Sequence, residues 1–361
     1  MIKKTAAFFL CLLFFSSEFF SVSYSENSWR ILEQAQVCFD SGNYGDAFKY
    51  VQEASINRRN EAENEYTLLD KAVAPAQVRK AGTEIASVLQ VLEEREQKEA
   101  VSVINKYVRF YGVSYFDDNI RNMLSWLKKR TVYPEADYLT GKIYQLEGEY
   151  SQALSFYERA YSEREYLDIP DIQYDILYSI AAISKINGDM ERLEKSLLLI
   201  LDSDEFFKNE LLKSSIMKSI SADAAENVDR IFLLYRADTR YSLQALCDLA
   251  YLYEMRGEFA KTLECYALAS IEAFTHILNA ITERNARFKY TTLEDFFAES
   301  GNYDEITEWI ANNNIWNIFF QFAGRAGKEG NLVFAKALFA AMANSVPDSY
   351  YRAIAAQQLV E

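Results

Sequence analysis

The single histidine, His276, limits the catalytic chemistry open to this 361-residue chain. A Ser-His-Asp or Cys-His arrangement uses histidine to carry the proton, and here one residue would have to serve alone. His276 therefore reads as an ordinary helix residue. No His/Cys cluster has zinc spacing, so neither metal ligands nor a cofactor are assigned. The stretch Gly324-Arg-Ala-Gly327-Lys328-Glu329-Gly330 has the glycines and lysine of a phosphate loop. It lacks the Ser or Thr after the lysine and follows a helical pattern, which makes it a helix end and its turn. Asp168, Asp171 and Asp175 cluster around Pro170 without the alternate-position ligands and central glycine of a calcium loop. Asp171 is better placed as a helix N-cap, with Asp175 one turn later. Asp202-Ser-Asp204-Glu205 reads the same way, as a helix start.

Paired carboxylates remain the one catalytic device an acidic helical chain could use. Glycoside hydrolysis needs two of them a few ångströms apart. With 53 acidic residues such a pair is easy to find and proves nothing. The tryptophans Trp29, Trp126, Trp309 and Trp316 are scattered, and the connecting loops look too short to build a deep cleft. No catalytic residue is assigned, and the chain is expected not to be an enzyme.

Charge and targeting point elsewhere. The 38 Lys and Arg against 53 Asp and Glu leave a net charge of −15, the wrong sign for nucleic acid or an anionic membrane surface. Met1-Ile2-Lys3-Lys4 heads an apolar run from Thr5 to Ser17, and Ser21-Val22-Ser23 offers small residues for cleavage, the layout of a secretory signal over residues 1–23. Ser23-Tyr24-Ser25 is an equally good frame, so the mature start is Tyr24 or Glu26. An uncleaved anchor is the alternative, although the run is too short to cross a bilayer of about 30 Å without carrying Glu18 through it. No later run is long enough to span, so the mature chain is expected to be exported, to the periplasm or cell envelope, with secretion as the alternative. Cys38, Cys247 and Cys265 remain, an odd and widely spaced set that is no disulfide framework. A bridge between Cys247 and Cys265 is conceivable; buried free thiols are the preferred reading.

The elements that would position any site are helices. Four Pro and 12 Gly are few breakers, and apolar residues recur at helical spacing, as at Leu246, Leu249, Ala250 and Tyr253. The chain reads as all-α. Within it, five segments share one spacing about a glycine: a small residue, an apolar or small one three later, Gly four later, then large, small, large and small at +2, +3, +4 and +3. They are Ala35-Cys38-Gly42-Tyr44-Ala47-Val51-Ala54; Gly141-Tyr144-Gly148-Tyr150-Ala153-Tyr157-Ala160; Ala181-Ser184-Gly188-Met190-Leu193-Leu197-Ile200; Ala250-Tyr253-Gly257-Phe259-Thr262-Tyr266-Ala269; and Ala323-Ala326-Gly330-Leu332-Ala335-Phe339-Met342, followed by Pro347. A weaker sixth runs through Phe297, Gly301, Tyr303, Ile306 and Ile310. Glycine ends one helix cheaply in a left-handed turn. The large residue after it should plug the open end of the hairpin, and the small residues mark the close crossing of two antiparallel helices. Each hairpin leaves a face that only a stacked neighbour buries.

This spacing resembles the tetratricopeptide repeat, with its small–aromatic–Gly–Tyr–Ala–Phe–Ala–Pro signature; the second and fourth segments match best. The resemblance implies an α-α superhelix, with degenerate repeats over 24–133, better-matched ones over 134–361, and an amphipathic C-terminal capping helix from Ser349 to Val360. Gly42 and Gly148 are 106 residues apart and Gly188 and Gly257 are 69 apart, close to three and two repeats of about 34. Hidden units are expected between them: a hairpin of 77–94 with 97–111, a helix over 118–130, and a hairpin of 205–220 with 224–235.

In proteins of this family the inner helix of each hairpin lines a concave groove. Carried onto this sequence, those positions are Trp29, Gln36 and Phe39; then Tyr138, Lys142 and Gln145; then Asp175, Tyr178 and Lys185; then Tyr251 and Glu254. Aromatic rings among polar groups suit capture of a peptide or partner helix. The expectation is a non-enzymatic interaction or scaffold module binding a protein or peptide. A small-ligand or transporter-accessory protein with a closed aromatic cavity is the alternative, and an all-helical glycoside hydrolase a third.

Overall fold

The structure, a computed structural model, describes residues 27–237 and 239–360. The expected signal at residues 1–23 lies outside them. The described chain is α-helical, with one isolated antiparallel bridge, Glu84 to Asn119, outside the helices. None of its helices is long and apolar enough to cross a membrane.

The chain forms two compact units that divide between Ile172 and Gln173. The boundary expected at residues 133 and 134 instead falls inside the first unit. The reason is the long helix α2, which packs against helices on both sides of that point. The first unit holds α1 (Ser28–Asp40), α2 (Tyr44–Val73), α3 (Ala76–Ala81), α4 (Ile85–Glu94), α5 (Lys98–Tyr111), α6 (Ile120–Lys129), α7 (Pro134–Leu146) and α8 (Tyr150–Ser162). Next come α9 (Ile172–Asn187), α10 (Met190–Leu201), α11 (Glu205–Lys208), α12 (Glu210–Ser221), α13 (Glu226–Leu234), α14 (Ser242–Arg256) and α15 (Phe259–Arg284). The chain closes with α16 (Leu293–Ser300), α17 (Asp304–Asn312), α18 (Ile315–Lys328), α19 (Leu332–Ser345) and α20 (Ser349–Gln357).

The five glycine turns have one geometry. Each glycine has φ between +72° and +91°. In each, the amide of the following residue donates to the carbonyl five residues back, as Glu149 does to Tyr144 and Glu258 to Tyr253, both at 2.9 Å. This capping satisfies carbonyls that the helix end leaves bare. The small positions are buried as the spacing requires, among them Ala35, Ala153, Ala250 and Ala323. At Gly141 an added Cβ would stand 2.5 Å from the Tyr157 ring, so α7 and α8 cross there at a distance only glycine allows. The expected plugs behave differently. Tyr44 and Tyr150 are half-buried, whereas Met190, Phe259 and Leu332 are 40%, 42% and 58% exposed and so plug less of the hairpin end.

Three expectations need correction. The helix expected over 77–94 breaks at Gly82 (φ +92°), where the Thr83 carbonyl accepts the Ile120 amide and Ile85 donates to Asp118. The helix expected over 205–220 breaks at Asn209, whose side chain caps α12 by accepting from the Leu212 amide. The interval from Gly42 to Gly148 does not divide into three equal hairpins, since α2 alone takes 30 residues of it. Within it the same capped turn recurs once, at Glu96 (φ +56°), where Gln97 donates to Leu92. The sixth glycine, Gly301, is right-handed; an added Cβ there would meet Pro347 at 2.6 Å.

Candidate functional site

In the first unit, α1 and α7 bring together most of the side chains expected in a groove. Lys142 places its ammonium 4.5 Å from the Phe39 ring centroid and 5.7 Å from that of Tyr138. A cation over an aromatic face is attracted by the ring quadrupole. Tyr138 packs against Tyr157, whose hydroxyl donates to Gln145 at 2.7 Å. Gln36 instead bonds along its own helix to Asp40. Trp29 stands at the mouth of a cavity of about 380 Å³.

That cavity has an aromatic mouth and a charged floor. Trp29 (51% exposed) and Phe110 (63%) stand at its rim. At its base Arg58 and Arg130, 3% and 5% exposed, converge on Asp168. Burial pushes the Asp168 carboxyl up, but the two guanidiniums outweigh it and hold it below the usual carboxylate range. Each arginine leaves its Nε buried without a hydrogen-bond partner. Each also lies over rings: Arg58 over Tyr133 at 4.1 Å, and Arg130 over Tyr107 and Trp126 at 5.1 and 5.4 Å. Those contacts offset part of the desolvation cost. Behind Asp168, Glu135 accepts the Asp168 and Ile169 amides. Burial, together with the Asp168 charge, pushes its carboxyl up to about 7.

In the second unit, α9 and α14 supply a similar patch. Lys185 lies 5.3 Å from the Tyr251 ring, which is 56% exposed, and 3.6 Å from Asp248. Glu254 accepts Arg325 at 3.0 Å, and that guanidinium covers the Phe259 ring. Tyr178 is committed elsewhere: its hydroxyl donates to the Tyr241 carbonyl and accepts the Ala245 amide. Asp175 is exposed in the first turn of α9. The cysteines Cys38, Cys247 and Cys265 are free thiols, with burial pushing Cys247 up to about 12.

Sequence reasoning missed a second cleft in this unit. His276 is more than an ordinary helix residue: it stacks on Trp309 at 4.0 Å and 21°. Beside that stack is a cavity of about 480 Å³ whose wall includes Glu272, one turn before His276 on α15. Glu272 accepts the Ser242 hydroxyl at 2.8 Å. Burial pushes its carboxyl up to about 7, against the pull of Thr239, Ser242 and the Leu243 amide. The i, i+4 spacing of Glu272 and His276 was a visible signal; their meeting with Trp309 was not. Among the described residues, no group of three or more His, Cys, Asp or Glu could hold a metal ion.

No family model matches the chain, and no solved structure matches it. It is similar to an uncharacterized protein of Treponema pallidum (strain Nichols), 26% identical over 336 residues, covering 92% of this chain and 90% of that protein. The matched length exceeds that of either unit, so the likeness spans both.

Proposed function

We propose that this chain is an exported binding protein, built from degenerate tetratricopeptide-like hairpins stacked as a solenoid and capped by α20, which captures a protein or peptide on the inner faces of its hairpins and catalyses nothing. The observation that carries the reading is the pairing of lysine with aromatic rings at positions that the resemblance to the tetratricopeptide repeat implies for a groove: Lys142 with Phe39 and Tyr138, and Lys185 with Tyr251. A cation held over a half-open ring offers a partner an apolar face and a carboxylate anchor at one place. The shared capped turns and buried small positions support the hairpin part of the reading.

The test is photo-crosslinking in intact cells, with a benzophenone amino acid placed at Tyr138 and, separately, at Tyr251. A discrete adduct of the same partner from both positions is expected. Adducts from neither position, while a control at exposed Leu211 behaves identically, would remove the groove reading.

A further inference from the structure

The second unit's cleft is built differently from the lysine–aromatic patches. Its flat walls are fixed before any ligand arrives. Tyr241 stacks on Tyr174 at 4.2 Å and 14°, Trp309 stacks on His276, and Tyr178 is held by its two hydrogen bonds. Between these rings stand planar polar groups: the Glu272 carboxyl, the Arg240 guanidinium, and the Gln244 and Asn313 amides. The amide nitrogens are already engaged, Gln244 donating to Asp248 and Asn313 to the Trp309 carbonyl, which fixes the orientation of both groups. A second chamber of about 190 Å³ shares His276 and Trp309 with the first, so the stack stands between two compartments. There Arg284 is paired with Glu305.

We propose that this two-chambered cleft is a carbohydrate-binding site that takes a neutral saccharide of at least two rings, one on each side of the His276–Trp309 stack. Three features select that ligand class. Rigid aromatic faces match the C–H face of a pyranose, whose weakly positive hydrogens meet the negative face of the π system. Planar groups with two adjacent donors or acceptors match neighbouring ring hydroxyls, and a few such groups in an otherwise closed wall fix orientation. Neither chamber is lined by charge of one sign, with Arg240 and Glu272 in the first and Arg284, Glu283 and Glu305 in the second, so neither is built as a site for an anion. A volume of about 480 Å³ falls within the range of small-molecule sites, about 300–1,000 Å³.

The proposal is independent of the partner reading. It is tested by titration calorimetry of the purified full chain against cellobiose, maltose and N,N′-diacetylchitobiose and their tetrasaccharides. At least one should bind with Kd on the order of 1 mM or tighter, the tetrasaccharide more tightly than the disaccharide. Trp309→Ala should weaken that binding at least about tenfold, a loss of roughly 1.4 kcal/mol, with Trp309→Phe retaining most of it and melting curves of both variants showing an intact fold. Leu211→Ala, at an exposed side chain that lines neither chamber, should leave it unchanged. No heat from any saccharide, or binding indifferent to Trp309→Ala in a folded variant, overturns the proposal. Binding of a peptide at the same tryptophan in place of sugars overturns it as well, while leaving the crosslinking outcome to stand on its own.

Discussion

Each unit buries one glutamate whose carboxyl is pushed up to about 7, and although both accept from neutral donors, the surroundings of the two differ. Glu135 sits behind Asp168, against a floor where two arginines spend their charge on one aspartate. Glu272 is met by two hydroxyls and a backbone amide. In the first unit the ionic groups answer one another, so they hold the helices in place and have little left for a ligand. In the second the carboxyl is held by neutral donors that a guest's hydroxyls can imitate. Burial alone therefore does not mark a site; the nature of the partners does.

The largest break in this comparison should come from Asp168→Ala. It strands Arg58 and Arg130, both almost fully buried, and removal of one side of a buried pair costs about 3–5 kcal/mol. Urea unfolding at pH 4.5 should show that loss, whereas Glu272→Gln, which keeps an acceptor for Ser242, should change stability at that pH, where the buried Glu272 is neutral, by less than about 1 kcal/mol. Equal losses would mean the two environments do not differ as described.

The pH profile sharpens the same contrast. Both glutamates have folded pKa values of about 7, above the ordinary 4.5, so the folded state binds more protons between those values. Their contribution is full below pH 4.5 and is lost as pH rises through about 7, by an amount on the order of a few kcal/mol. Asp168 acts in reverse: its lowered pKa gives stability that is present above 3.8 and lost on further acidification. Thermal melts from pH 3 to 9 should peak between these limits. Glu135→Gln and Glu272→Gln should each flatten the alkaline side, and a slope untouched by both substitutions would refute the assignment.

A smaller contrast lies in two helical glycines. Gly141→Ala drives a methyl into Tyr157 and should cost about 1–3 kcal/mol. Gly324→Ala, with no atom within 4 Å of the new methyl, should be neutral or should stabilise by up to about 1 kcal/mol. Smaller still is Asp223, left-handed at φ +47°. Asp223→Gly keeps the turn and loses only a cap, so it should cost about 0.5 kcal/mol less than Asp223→Ala.

Local rules made much of the fold readable. Glycine at a helix end, a small residue at a crossing and a C-terminal helix starting at Ser349 follow from local spacing, while the lysines that meet Phe39 and Tyr251 came through the resemblance to the tetratricopeptide repeat. What stayed hidden depends on residues far apart in the chain. Arg58 meets Asp168 across 110 positions, and Glu272 shares its cleft with Trp309. Two turns without glycine fall where the helical pattern breaks, between 94 and 97 and between 220 and 224, and the structure puts left-handed Glu96 and Asp223 there. Asp223 lies 35 residues after Gly188 and 34 before Gly257, in phase with its neighbours.

Asp223 accepts the amides of Val333 and Phe334, the opening turn of α19. A latch of that reach ties the order of events during synthesis. As the chain emerges from the ribosome, the α12–α13 hairpin can coil, but its bend has nothing to fasten to until residue 334 has been delivered. The middle of the second unit must wait for its end, so a nascent chain halted before α19 should leave that hairpin open to proteases that the finished protein resists.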